Sequence, residues 1–183
     1  MNFLATQAAN DLLEQFVASA RSAAATAEIV DRSPQAIGDA ILATAGDTAR
    51  ILFAPPQVLP AELFTVFAAD PRVVTQPDSE QIVHSGVGVT EAFAGVARTG
   101  SVCVDVDYQR TGFVSLLTPL HIAVLASEYI VPQPRDVFRR DVLNGEGLTR
   151  NFVFITGPSA TADMGPLVRG VHGPHRLHVI VVR

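Results

Sequence analysis

The chain has 183 residues and a mass of 19.4 kDa, about the length of one domain. Its 48% hydrophobic and 17% charged content, with a mean hydropathy of +0.30, excludes a disordered chain. All 13 basic residues are Arg, the only Cys is Cys103 and the net charge is −5; this excludes Schiff-base and pyridoxal-phosphate chemistry, the phosphate-loop lysine, intrachain disulfides, zinc ribbons and an iron–sulfur cluster held by this chain alone, and speaks against nucleic acid as a partner.

With 25 Ala, 24 Val and no Trp, the core is aliphatic. Leu4, Ala8, Leu12, Phe16 and Ala20 recur every four residues, flanked by Leu13 and Val17, while Asn10, Asp11, Glu14 and Gln15 take the opposite side. This predicts an amphipathic helix packed on its own domain. A second helix starts at Ser33-Pro34, an N-cap followed by Pro at the first helical position, carries Ile37, Ile41 and Leu42, and stops near Gly46. Residues 1–48 are therefore read as a helical segment packed on an α/β domain over 49–183.

Strands are predicted at Arg50–Phe53, Arg72–Thr75, Gln81–His84, Val102–Val106, His121–Ala126, Tyr129–Val131, Asn151–Thr156 and Leu177–Val182. Helices are predicted at Leu63–Ala69, Val89–Arg98 and Pro134–Leu143, a Pro-rich turn spans Pro55–Pro60, and Asp107–Gly112 is read as a turn. The strands are continuous Val/Ile/Phe runs, which suit a sheet covered on both faces. Their alternation with helices predicts an α/β fold with a mostly parallel sheet and helices on both faces. No run approaches the roughly 18 apolar residues of a membrane span. The N-terminal stretch lacks the positive region of a secretory signal, so a cytoplasmic chain is expected.

Open α/β sheets bind ligands beyond the carboxyl ends of strands, at helix N-termini, and three segments have that form. In Ile82–Glu91 a strand leads through Gly86 and Gly88 towards a helix start with Thr90, whose free N–H groups would suit an anion. Glu91 stands where a dinucleotide fingerprint needs its third Gly, and either complements the helix dipole or acts as a carboxylate in a cleft. In Thr99-Gly100-Ser101, Gly100 is either an ordinary helix C-terminal Gly or part of a small anion-binding nest. In Phe152–Asp163 a strand ends at Gly157-Pro158, and Ser159 is positioned to cap a short helix, making a cradle with Thr161 for an anion or carboxylate. Asp163 is either a turn residue or a functional carboxylate.

His172, His175 and His178 do not form a metal site on this reading: Gly173-Pro174 forbids a regular helix, and in an extended chain positions three apart face opposite ways. His172 is expected to face the cleft, and His121 to be a core or rim histidine. Thr99-Gly100-Ser101, Gly157-Pro158-Ser159 and His172 are expected to line one cleft.

Several motifs occur in one order: Gly88-Val89-Thr90-Glu91-Ala92, Ala97-Arg98-Thr99-Gly100-Ser101, Ser115-Leu116-Leu117 with Pro119 and His121, Gly157-Pro158-Ser159-Ala160-Thr161-Ala162-Asp163, and Val168-Arg169-Gly170-Val171-His172-Gly173-Pro174 with Leu177-His178-Val179. The set, dense from about Val83 onward, resembles the lactate-utilisation protein C family, the small LUD-domain proteins. That resemblance implies a fold similar to the sugar-phosphate isomerase and CoA-transferase superfamily, which includes the formyltetrahydrofolate cyclo-ligases. It also implies a part in oxidising L-lactate to pyruvate beside two iron–sulfur partners, lactate-utilisation proteins A and B. The chain departs from the family pattern at Gly112, Thr118, Ala160 and Met164-Gly165, where Arg, Pro, a polar residue and Ile-Glu are usual.

Three functions are consistent with this reading. One is a non-redox component of L-lactate oxidation that binds an anionic ligand at strand-end loops, without a cofactor of its own. Another is a stand-alone enzyme of CoA-transferase or cyclo-ligase type, with Glu91, Asp163 or His172 as the reacting or proton-transferring group. The third is an interaction module without a small ligand.

Overall fold

The computed structural model describes residues 3–48, 50–106, 111–139, 151–163 and 165–183. Helix α1 (Phe3–Ser22) buries Phe16 and Ala20 of the expected stripe together with the flanking Leu13 and Val17, while Leu12 is half-buried and Ala8 is exposed, so the stripe packs on the domain over its C-terminal half. Strand β1 (Thr26–Val30) follows within the segment read as wholly helical; its short Thr-Ala-Glu-Ile-Val run lacks the Val-rich signature of the later strands. Helix α2 (Pro34–Ala45) starts as its sequence predicts, with Ser33 Oγ accepting from the Ala36 N–H at 3.1 Å, and closes at Gly46 with φ of 61°.

The chain continues through β2 (Ile51–Phe53), a 3-10 turn (Ala61–Phe64), α3 (Thr65–Ala68), β3 (Val73–Val74) and α4 (Ser79–Val83). Helix α4 replaces the strand expected at Gln81–His84. Asp78 and Gln81 form a reciprocal capping box, a local signal that outweighs the β-branched Ile82-Val83 pair.

The helix expected at Val89–Arg98 is instead two strands, β4 (Val87–Ala92) and β5 (Ala94–Val96). Both are buried on both faces and so lack the alternation that marks a half-exposed strand. Next come β6 (Ser101–Asp105), α5 (Thr111–Leu116), β7 (Leu120–Ala126) and β8 (Ile130–Val131). The helix expected from Pro134 is a 3-10 turn over Pro134–Phe138, and the rest of that expectation, from residue 140, lies outside the described residues; of the turn expected over Asp107–Gly112, residues 107–110 also lie outside them, and Thr111 and Gly112 open α5. The chain ends with β9 (Phe152–Ile155), β10 (Ala160–Thr161), β11 (Val168–Arg169) and β12 (Arg176–Val182).

The six-stranded main sheet has the order β1-β12-β7-β4-β2-β3, and every pairing in it is parallel. A four-stranded sheet, β8-β5-β6-β9, lies against it, and β10 and β11 form a hairpin. Alternation along β7 assigns the two faces. Leu120, Ile122 and Val124 pack with α2, α3 and their flanking turn, through Ile37, Ile41, Leu63 and Phe67. Ala123 and Leu125 pack with α1 and with Val102, Val104, Val153 and Ile155 of the smaller sheet. The fold is thus a mostly parallel α/β sheet with helices on both faces, the second face shared with the smaller sheet. No helix among the described residues is long and apolar enough to cross a membrane.

The direction of the chain changes at the pair β2–β4. From β2 the chain moves outward to β3, whereas from β4 it crosses through the smaller sheet to β7 on the other side. The carboxyl ends of β2 and β4 therefore diverge, which is the topological condition for a crevice in an open sheet.

Candidate functional site

Strand β9 delivers the chain to Thr156-Gly157-Pro158-Ser159 at the amino edge of the main sheet, beside the entry to β12. The position follows from two bonds: Ser159 N–H donates to Pro174 O at 2.9 Å, and Arg176 N–H donates to Pro119 O, ahead of β7, at 3.2 Å. Ser159 does not cap a helix; it leads into the β10–β11 hairpin, and its carbonyl accepts from Gly170 N–H at 2.9 Å.

Gly157 has φ of 69°, and a Cβ there would sit 1.9 Å from Ala23 O. The glycine thus lets the loop close against the chain just after α1. A cleft of about 450 Å³ opens at this edge, walled by Leu116, β9, Gly157-Pro158-Ser159 and His172-Gly173-Pro174. The Thr156 hydroxyl, the Ser159 hydroxyl and the exposed His172 imidazole bring hydrogen-bonding groups to an otherwise apolar wall that includes Phe154 and Ile155.

Thr99, Gly100 and Ser101 do not line this cleft. They form the β5–β6 turn, with Gly100 at φ of 66° donating its N–H to Val96 O at 2.8 Å, so Gly100 ends a hairpin turn and not a helix. A Cβ on Gly100 would lie 2.1 Å from Ala20 N, so α1 seals the outside of the turn. A hydroxyl chain joins it to the cleft: Thr99 Oγ1 to Ser101 Oγ at 2.7 Å, then Ser101 Oγ to Thr156 Oγ1 at 2.6 Å. Asp163 is exposed in the turn after β10, its N–H donating to Thr161 Oγ1 at 3.5 Å. His175 packs its ring over Gly170, and His178 bonds Thr26 Oγ1 at 2.7 Å and Glu28 Oε1 at 3.0 Å. The three histidines thus have three separate environments.

The segment 82–91 is not a strand–turn–helix anion loop. Gly88 and Thr90 are buried inside β4, and Gly86 precedes it. A Cβ on Gly86 would meet Thr48 Oγ1 at 2.2 Å, and one on Gly88 would meet Val114 O at 2.0 Å. These glycines admit neighbouring chain, not a ligand phosphate. Glu91 lies one residue from the end of β4, so no helix dipole acts on it. Its carboxylate accepts from the backbone N–H groups of Gln57 at 2.7 Å, Val58 at 2.9 Å and Leu59. It also lines a cavity of about 10 Å³ with Ala54, Gln57, Phe93, Asp105 and Thr111, room for about one water molecule. The sequence holds a partial signal for this contact, Pro55, Pro56 and Pro60 bracketing a stiff turn, but nothing local names Glu91 as its anchor.

Two further groups are removed from exposed chemistry by burial. Burial pushes the Cys103 thiol up to about 12, far from a reactive thiolate. Burial pulls His121 down to about 3, which keeps it neutral.

The LUD domain family model matches residues 57–182. The chain is 35% identical over 103 residues to "Lactate utilization protein C" of Bacillus subtilis, covering 54% of this chain and 43% of that protein. It is 36% identical over 107 residues to "Lactate utilization protein C" of Halalkalibacterium halodurans, covering 56% and 46%. The chain thus spans about half the length of the curated relatives it matches. In architecture it is similar to a crystal structure of a DUF162 family protein from Deinococcus radiodurans, with a TM-score of 0.70 at 23% identity, covering 96% of this chain and 98% of that one.

Proposed function

This chain belongs to the LUD domain family, and we propose on that premise that it serves L-lactate utilisation as a non-redox component that binds a small carboxylate in the amino-edge cleft. The observation that carries the role is the similarity to proteins named for lactate utilisation, at 35% and 36% identity. The site rests on the cleft walled by Gly157-Pro158-Ser159 and His172-Gly173-Pro174. A carboxylate seated there would accept from the Ser159 hydroxyl and the His172 imidazole N–H, with its carbon chain against Phe154 and Ile155. Thr156, held by Ser101, would keep its hydroxyl in place as a further donor or acceptor.

Oxidising lactate to pyruvate releases two electrons. The one Cys of this chain cannot ligate a cluster, which normally takes about four thiolates. On this proposal the electrons pass to iron–sulfur partners, lactate-utilisation proteins A and B, and this chain presents or senses the carboxylate. The stand-alone enzyme reading is less favoured by the geometry: both Glu91 oxygens already accept backbone N–H groups, and Asp163 sits on an exposed turn.

Deletion of the gene in its native host tests the role. Growth on L-lactate as sole carbon source is expected to slow markedly, with growth on pyruvate unchanged and the wild-type gene restoring the loss. Equal growth of deleted and parental strains on L-lactate would contradict it.

A further inference from the structure

We propose that the backbone amides of residues 57–59 form a second, separate carboxylate-binding site at the β2–β4 crevice, in which Glu91 is the resident occupant and which a short-chain monocarboxylate takes when Glu91 leaves. Three consecutive N–H groups converge on one carboxylate. Gln57 and Val58 donate to Oε2 at 2.7 and 2.9 Å, and Val58 at 3.2 Å and Leu59 donate to Oε1. Successive amides aimed at one point make an anion-binding concavity, and bonds to an ionised acceptor are about twice as strong as neutral ones. The chemistry of the site is therefore already displayed by the group that fills it.

The place is the one where an open parallel sheet offers a ligand crevice. β2 and β4 are neighbours, and their onward connections leave to opposite sides. The cavity of about 10 Å³ beside Glu91 is bounded by Phe93, Asp105 and Thr111. A short monocarboxylate fits the space made by that cavity together with the volume of the displaced Glu91 head group. Pro55, Pro56 and Pro60 bracket the three amides and restrict the backbone around them. The turn therefore holds its amides converged after the side chain has gone. Glu91 is tethered, so it competes at the high effective concentration of an intramolecular ligand. In the wild type the site is closed by its own chain.

The test is thermal unfolding of the wild type and of Glu91→Ala, titrated with sodium propionate, propionamide and sodium chloride at matched ionic strength. Glu91→Ala is expected to melt lower than the wild type and to be restored by propionate but not by propionamide or chloride. The propionate midpoint is expected to be at least about tenfold lower than in the wild type, where Glu91 competes. A response to propionamide or chloride equal to that for propionate, the same propionate midpoint in both proteins, or no response in the variant would overturn the proposal. If Glu91→Ala does not fold, Glu91→Gln keeps the side-chain shape while turning an amide NH2 towards N–H donors. The same selective restoration by propionate is then expected, and its absence counts equally against the site.

Discussion

Thr90 Oγ1 lies 2.8 Å from His121 Nε2, joining β4 to β7 across a layer closed to solvent. The opposite ring nitrogen, Nδ1, has no hydrogen-bond partner among the described residues. The bond to Thr90 therefore carries the whole polar satisfaction of a fully buried imidazole. Replacing Thr90 by Val keeps the shape and strands Nε2. We expect a loss of about 1–3 kcal/mol in urea unfolding near neutral pH, the cost of leaving a buried polar group unpaired.

The same histidine makes stability depend on pH. Unfolded, it takes a proton near 6.5; folded, burial holds it down to about 3. Between those values the unfolded state binds more protons, so His121's contribution is complete above pH 6.5 and falls as pH drops towards 3. The slope from this group is at most about 1.4 kcal/mol per pH unit. Urea midpoints compared at about pH 7.5 and about pH 5 should fall less in His121→Gln than in the wild type; an identical fall in both would show that His121 does not set the slope.

Gly157→Ala should destabilise through contact as well as backbone strain. The added Cβ would lie 1.9 Å from Ala23 O at a φ of 69°. Gly46→Ala is the control, with φ of 61° and nothing within 4 Å of the new carbon. Strain at a positive φ costs about 1–3 kcal/mol, and the clash should add about 1–3 kcal/mol at Gly157. Equal losses in chemical denaturation would mean that the loop moves freely away from the end of α1.

Cys103 is buried in the smaller sheet, with its thiol pushed up to about 12. A thiol-specific reagent should label it only as fast as the protein unfolds, and labelling should accelerate with added urea in step with the unfolding rate. Rapid labelling of the native protein would contradict its placement.

Much of the frame was readable from local pattern alone. The C-terminal half of the α1 stripe, the Ser33-Pro34 start of α2 and the apolar run of β12 each declare themselves without help from the rest of the chain. The misreadings arise where long-range contacts decide. Val89–Arg98 looks helical because its Ala and Gly hide strands that are buried on both faces. β1 gains its identity from pairing with β12, more than a hundred residues away, as the Thr26↔His178 register shows.

At the amino-edge cleft, the adjacency of Gly157-Pro158-Ser159 to His172 follows from a short hairpin, β10–β11, within one stretch of chain. The exclusion of Thr99-Gly100-Ser101 follows from α1 packing on Gly100, which no local motif records. Likewise, Glu91 finds its amides 32 to 34 residues back along the chain.

The most direct test of the account is calorimetric titration of sodium L-lactate into the wild type, Ser159→Ala and His172→Ala. Saturable one-site binding is predicted in the wild type, weakened about tenfold or more in each variant, as expected when one hydrogen bond to a charged oxygen is removed. Absence of binding in the wild type, or equal affinity in all three proteins, would contradict the assignment of the carboxylate to this cleft.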